Sequence, residues 1–122
     1  MIRFRVALLG VVAAAFVAAF AVPAMAAHHS QSATTITVTA GKPSEFHFVL
    51  SAASAKSGVV TFKVTNKGKL QHDFSISGRK TKLLSPGQSD TLRVTLRKGN
   101  YPYKCTVPGH AAAGMKGVFK VT

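Results

Sequence analysis

Three side chains near the C-terminal end of this 122-residue sequence could bind a metal ion together. Cys105, His110 and Met115 stand in the run Cys-Thr-Val-Pro-Gly-His-Ala-Ala-Ala-Gly-Met, and Cys105 is the only cysteine of the chain. The run offers a thiolate, an imidazole and a thioether along one short loop. The Pro-Gly pair between the cysteine and the histidine predicts a turn that lets these two side chains converge on one point.

A copper ion held by two histidines, one cysteine and a weak axial methionine needs these donors and one more histidine. His72, in the run Leu-Gln-His-Asp-Phe, is available for that place. Zinc fits the set less well, because structural zinc sites favour several thiolates or histidine pairs and a methionine adds little to them. The sequence therefore predicts a site for one copper ion, with His72, Cys105, His110 and Met115 as its metal ligands.

The first residues are typical of a targeting segment. Arg3 and Arg5 precede an apolar stretch over residues 6–22, and the pattern Ala-Met-Ala ending at residue 26 is one after which a signal peptidase cuts. We therefore expect residues 1–26 to be a cleaved signal peptide and the protein to be periplasmic or otherwise extracytoplasmic. The alternative is a retained membrane anchor, since the uncharged stretch is long enough to span a bilayer.

A single cysteine cannot form a disulfide within one exported chain. The thiol of Cys105 would then form an intermolecular bridge, remain free and reactive, or be occupied by a metal ion. The third option agrees with the ligand loop described above.

The chain is strongly basic, with a net charge of +13. Without Arg3 and Arg5, 14 lysines and arginines stand against three acidic residues, which leaves +11. Such a charge favours anionic partners. Nucleic acid is a poor candidate, because the chain is expected to be exported and has no recognised nucleic-acid motif. We expect the partner to be an acidic redox protein or an electron-transfer partner at the membrane surface. We expect no small-molecule substrate, and we expect the protein to be a monomer. The alternative is that the basic charge serves solubility alone.

The body of the chain alternates apolar and polar residues, which is the pattern of half-buried strands. Glycine, proline and asparagine separate the runs, and no run carries a helical apolar stripe. This predicts an all-β Greek-key β-sandwich of seven to eight strands over residues 35–122, after a flexible lead-in at residues 27–34. The clearest alternating runs are residues 35–40, 45–50, 60–65 and 91–97.

The same alternation predicts where the metal ligands lie. The inward sets are Leu70, His72, Phe74 and Ile76 in one run and Tyr101, Tyr103 and Cys105 in another. Two strands then present His72 and Cys105 near one end of the sandwich, and the loop before a last strand at residues 117–121 brings His110 and Met115. Glu45 and His47 fall on the outward face of their run, away from this site.

With these features the chain resembles the cupredoxins, the small blue-copper proteins, over essentially all of residues 35–122. The resemblance rests on three runs: Asn-Lys-Gly at 66–68 ahead of His-Asp-Phe at 72–74, Pro-Gly-Gln-Ser at 86–89, and Tyr-Pro-Tyr-Lys-Cys at 101–105. It implies that His72, Cys105 and His110 are equatorial ligands, that Met115 is the weak axial ligand, and that His110 is the exposed ligand through which electrons enter.

The resemblance also implies a docking patch, and the chain departs from the cupredoxin pattern at one residue. The patch would consist of Val107, Pro108 and the alanines at 111–113, ringed by Lys104 and Lys116. Many cupredoxins have asparagine after the first ligand histidine, where it ties the two ligand loops together. Here that residue is Asp73, so a tie at this place would have a different donor pattern.

Two functions remain open at this point. The first is single-electron transfer by copper cycling between Cu(I) and Cu(II). The second is a periplasmic copper carrier without an electron-transfer role, supported by His28 and His29, because cleavage after Ala26 would put His29 third in the mature chain, an arrangement that chelates Cu(II). We do not expect an enzyme, since multicopper oxidases and nitrite reductases need more histidine ligands and further domains.

Overall fold

The alternating runs form strands in the computed structural model, which describes residues 10–26 and 33–122. The described residues form nine strands and no helix, so the predicted all-β sandwich is confirmed. The count exceeds the predicted seven to eight because three strands are only two residues long. The strands are β1 (Thr34–Ala40), β2 (Phe48–Leu50), β3 (Ser54–Ala55), β4 (Gly58–Asn66), β5 (Ser75–Ile76), β6 (Arg79–Lys80), β7 (Ser89–Leu96), β8 (Gly99–Lys104) and β9 (Lys116–Val121).

Two sheets make up the sandwich. The first has the order β2-β1-β4-β7, and the second has the order β3-β9-β8-β5-β6. In the first sheet β1 pairs parallel to β4, while β4 pairs antiparallel to β7 with Phe62 opposite Leu92. In the second sheet β8 and β9 run antiparallel along their whole lengths, with Lys104 opposite Lys116. The residues after β8 and before β9 therefore emerge side by side at the same end of the molecule.

Aromatic side chains hold the two sheets together. Phe62 of β4 packs against Phe119 of the opposite sheet with ring centroids 5.3 Å apart, and against Phe74 at 5.2 Å. All three side chains are fully buried. Truncation of such a phenylalanine to alanine typically costs about 3–5 kcal/mol, so this cluster is a principal source of stability for the fold.

The Tyr101 side chain fastens a corner of the sandwich. Its hydroxyl donates a hydrogen bond to the carbonyl of Arg97 at 2.7 Å, four residues upstream. This contact closes the turn between β7 and β8 and has the form of the corner tyrosine found in Greek-key sandwiches.

Two predicted runs are strands over only part of their length. The run at 45–50 pairs only from Phe48 onward, and the run at 70–76 pairs as a strand only at Ser75–Ile76. The inward placement of Leu70 is wrong: its side chain is 46% exposed, because it lies in a loop where strand alternation does not apply.

The N-terminal expectations stay predictions. Residues 10–26 contain neither helix nor strand, and among the described residues no helix is long and apolar enough to cross a membrane. Arg3, Arg5, His28 and His29 lie outside the described residues, as does most of the lead-in.

Candidate metal centre

The loop from Cys105 to Met115 is closed at its base by the backbone. The amide of Cys105 donates to the carbonyl of Met115 at 3.0 Å, and the amide of Met115 donates to the carbonyl of His110 at 3.1 Å. Gly109 has φ of +82°, a left-handed conformation that side chains rarely adopt, which accounts for the Pro-Gly turn. These bonds set the positions of all three predicted ligands of the loop relative to one another.

Three of the predicted ligands meet at one point inside the sandwich. His72, Cys105 and His110 each direct a donor atom to a cluster whose atoms lie within 4.8 Å of one another. The Nδ1 atoms of the two histidines are 3.1 Å apart. Cys105 Sγ lies 3.6 Å from Nδ1 of His110 and 4.0 Å from Nδ1 of His72. One thiol and two imidazole nitrogens at this spacing can face a single ion between them.

Met115 lies beside these donors. Its side chain is fully buried and packs in a small apolar cluster with Cys105 and Ala40. Phe46 and Val107 pack against the same cluster. The thioether is therefore held close to the cysteine in surroundings that exclude water, which suits a weak axial contact.

Backbone and amide contacts hold His72 in place. Its amide donates to the carbonyl of Leu84 at 3.0 Å, and the amide of Leu84 donates back at 2.8 Å, which forms an isolated bridge. The buried side-chain amide of Asn66 donates to the carbonyls of Leu70 and Leu84 at 2.7 and 2.8 Å. The sequence shows Asn66 only as part of the Asn-Lys-Gly motif, whereas these bonds give it the role of shaping the loop before His72.

Glu45 contacts the far side of the His72 ring. Its Oε1 atom accepts from Nε2 of His72 at 2.7 Å. The outward placement of Glu45 expected from alternation is therefore wrong, because residue 45 precedes β2 and lies in a turn instead of a strand. The N–H groups of Lys69 and Leu70 also bond this carboxylate and, as the largest cause, lower its pKa from 4.5 to about 2.

His110 is the predicted ligand nearest the surface. Its side chain is 9% exposed, whereas His72, Cys105 and Met115 are between 0% and 1% exposed. Phe46 packs edge-on against the His110 ring with centroids 5.0 Å apart. Burial, with a smaller contribution from His72, lowers the pKa of His110, so its imidazole is favoured in the neutral form that can donate to a metal ion.

The burial of Cys105 bears on the three options for the odd cysteine. Cys105 is free and 1% exposed, and burial raises the pKa of its thiol. A buried thiol with a raised pKa is a poor nucleophile and cannot reach a second chain. Of the three options drawn from the sequence, a thiolate occupied by a metal ion agrees best with this placement.

Two grooves near the site contain different lysines. The groove at His110 is lined by Leu70, Pro86 and Val107, together with Lys69 and Gln71. Lys104 and Lys116, expected to ring the docking patch, line a separate groove with Pro102, Tyr103 and Val118. The alternation of β8 and β9 turns these two lysines to the outer face of their sheet, so Lys69, and neither Lys104 nor Lys116, lines the groove at His110.

Comparison with known proteins agrees with this geometry. A sequence model of copper binding proteins of the plastocyanin/azurin family matches residues 11–122. No curated protein sequence matches the chain significantly.

Three solved structures share the fold. Auracyanin from Roseiflexus castenholzii is 25% identical with a TM-score of 0.54, over 74% of this chain and 96% of that one. Rusticyanin from Thiobacillus ferrooxidans is 22% identical with a TM-score of 0.63, over 74% of this chain and 77% of that one. Auracyanin A from Chloroflexus aurantiacus is 19% identical with a TM-score of 0.60, over 75% of this chain and 100% of that one. It is a "blue" copper protein.

The family match confirms the resemblance to cupredoxins that the sequence motifs indicated. The donors fit that match, since two imidazole nitrogens and a thiol sulfur converge beside a buried methionine. The site is thus consistent with one copper ion.

Proposed function

Because the chain belongs to the plastocyanin/azurin family of copper-binding proteins, we propose that it is an exported blue-copper protein that carries single electrons between redox partners. His72, Cys105 and His110 serve as equatorial ligands and Met115 as the weak axial ligand. The observation that carries this proposal is the convergence of the Cys105 sulfur and two Nδ1 atoms within 4.8 Å at a buried point.

Electron transfer needs ligands that stay still while the charge changes. When bound, copper supplies a one-electron couple between Cu(I) and Cu(II). The hydrogen bonds at the base of the Cys105–Met115 loop and the bridge between His72 and Leu84 hold the donor atoms in place independently of an ion. The burial of Cys105 and Met115 keeps water from the sulfur atoms, which protects the thiolate from oxidation.

His110 is the route by which the electron enters and leaves. It is the most exposed of the four proposed ligands, at 9% against at most 1% for the others, and the groove beside it is lined by Leu70, Pro86 and Val107. A small apolar surface of this kind suits brief contact with a partner protein. The electron comes from a reduced partner and passes to an oxidised one, and no bond to carbon is made or broken.

The partner is an acidic redox protein or an anionic membrane-bound electron carrier. The support is the net charge of +13 for the full chain, with Lys69 beside the His110 groove. Export by the N-terminal segment, which would place the protein in the periplasm, is part of the same proposal and is supported by the cleavage pattern ending at Ala26.

A copper carrier is the second candidate, and the burial of the ligands disfavours it. A carrier must release its ion to another protein, so its ligands need to be reachable by competing donors. Here three of the four proposed ligands are at most 1% exposed. An enzyme is disfavoured for a related reason, because the same burial keeps three of the four proposed ligands out of contact with a substrate.

The test is the absorption spectrum of the protein loaded with Cu(II). We expect an intense blue band from charge transfer between the Cys105 thiolate and copper, and Cys105→Ser should abolish it. The Cys105→Ser protein should remain folded, because the large core around Phe62 does not include residue 105. A colourless copper-loaded protein with Cys105 intact would overturn the assignment.

Kinetics separate the electron carrier from the copper carrier. An electron carrier should be reduced by hexacyanoferrate(II) much faster than it loses copper to a chelator such as EDTA. Rapid loss of copper to the chelator with slow reduction would favour the copper carrier.

A further inference from the structure

The Glu45 carboxylate is directed entirely toward the loop that carries His72. Oε1 accepts from His72 Nε2 at 2.7 Å and from the amide of Leu70 at 2.8 Å. The amide of Lys69 lies 3.0 Å from Oε1 and 2.9 Å from Oε2. The side chain of Glu45 is 24% exposed, while that of His72 is completely buried. A carboxylate from a distant turn thus reaches into the sandwich to meet one buried imidazole.

This contact decides which nitrogen of His72 carries the proton. An ionised carboxylate only accepts hydrogen bonds, so the neutral His72 ring must place its proton on Nε2. The lone pair then lies on Nδ1, the atom that faces His110 and Cys105. Hydrogen bonding of this kind fixes the orientation of a ligand histidine and raises its basicity.

A glycine leaves room for the pair. A Cβ atom on Gly68 would collide with Oε1 of Glu45 and would lie 3.0 Å from Nε2 of His72. Gly41, at φ of +80°, packs so closely on Gly68 that a Cβ there would strike the Gly68 backbone. Two glycines from separate segments therefore bring the turn with Glu45 against the His72 loop.

The charge at this position is unusual for the chain. The sequence has only three acidic residues against sixteen lysines and arginines, and one of the three contacts a proposed copper ligand directly. A negative charge near a metal ion favours the more positively charged oxidation state.

We propose that Glu45 is a positioning residue that sets the tautomer and orientation of His72 and lowers the reduction potential of the copper site. The effect on the reduction potential rests on the proposed electron-transfer function, whereas the effect on the His72 tautomer rests on the contact with Glu45. Glu45 does not bind the metal; it acts through the His72 ring.

The experiment compares Glu45→Gln with Asp90→Asn in the copper-loaded protein. Gln can still accept at Oε1 but lacks the charge. Asp90→Asn removes an equal charge from a carboxylate that accepts hydrogen bonds from the amides of Lys82 and Thr91. Glu45→Gln should keep the blue colour and raise the reduction potential, which corresponds to a fall of roughly 10-fold in Cu(II) affinity relative to Cu(I). Asp90→Asn should change the ratio of Cu(II) to Cu(I) affinity, and therefore the reduction potential, far less.

A second measurement needs neither copper nor a variant. Nitrogen-15 NMR of the metal-free wild type should show the His72 proton on Nε2, protected from exchange with solvent. A proton on Nδ1, or equal shifts of potential in Glu45→Gln and Asp90→Asn, would overturn the inference. A wild type that is not blue would instead refute the proposed function, while the NMR result would still decide whether Glu45 sets the His72 tautomer.

Discussion

Thr106 donates two hydrogen bonds to Asp73. Its amide reaches Oδ1 at 2.6 Å, and its hydroxyl reaches Oδ2. Asp73 follows His72, and Thr106 follows Cys105, so the pair ties together the two segments that hold the proposed equatorial ligands. The expected change in donor pattern is present: the carboxylate only accepts, and Thr106 supplies both donors.

The tie between Asp73 and Thr106 should contribute to the stability of the metal-free protein. Asp73→Ala leaves the Thr106 donors without their partner, and we expect a loss of about 1–3 kcal/mol in the free energy of unfolding. Asp73→Asn should lose much less free energy of unfolding, because the asparagine side-chain amide can accept from the Thr106 backbone amide and donate to the rotatable Thr106 hydroxyl. Urea unfolding of both variants measures the difference, and an Asp73→Ala protein as stable as the wild type would contradict the prediction.

Met115→Leu should retain copper and colour but raise the reduction potential. Leucine fills a similar volume in the cluster with Cys105 and Ala40, so packing is largely kept. The loss of a long, weak thioether contact removes donation that favours Cu(II). Voltammetry with the absorption spectrum checks both outcomes. Loss of copper altogether would show that the sulfur is a principal ligand.

Electrostatic attraction should speed the encounter with an anionic partner. Exposed charges are screened over about 10 Å at 0.1 M salt, so the second-order rate of electron transfer should fall as salt is added. Lys69→Glu, beside the His110 groove, should slow the reaction more than Lys104→Glu or Lys116→Glu, which alter the other groove. Stopped-flow kinetics with an acidic redox protein measures this order.

The blue spectrum should be unchanged in all three lysine variants, which serves as the control. Equal effects of the three substitutions would mean that the overall charge governs the encounter, without preference for the His110 groove. Rates that ignore both salt and substitution would leave the basic surface with a role in solubility alone.

Acid should destabilise the metal-free protein through Glu45. The amides of Lys69 and Leu70 hold its pKa at about 2 in the folded protein, against 4.5 as its ordinary value. The stability that it contributes is therefore fully present above pH 4.5 and is lost as the pH falls through about 2. The difference in unfolding free energy between wild type and Glu45→Gln should shrink over that range in denaturant titrations. A constant difference would contradict this assignment.

The strands and the chemistry of the site could be predicted from local sequence. Alternation depends only on the two-residue period of a strand, so the runs that became β1, β4 and β7 show their buried faces in the sequence itself. The donors in Cys105–Met115 are similarly local, because a loop of this length with a Pro-Gly turn can bring its own side chains together.

The tertiary structure alone decided what meets His72. Glu45 stands 27 residues earlier, in a turn where alternation gives no guidance, and its contact depends on the close packing of Gly41 on Gly68. The same holds for Lys69, which reaches the His110 groove because Asn66 folds its loop back toward Leu84. Local patterns specify which face of a strand is buried. The contacts between loops depend instead on how the two sheets stack, and the stacking forms only when the whole core packs.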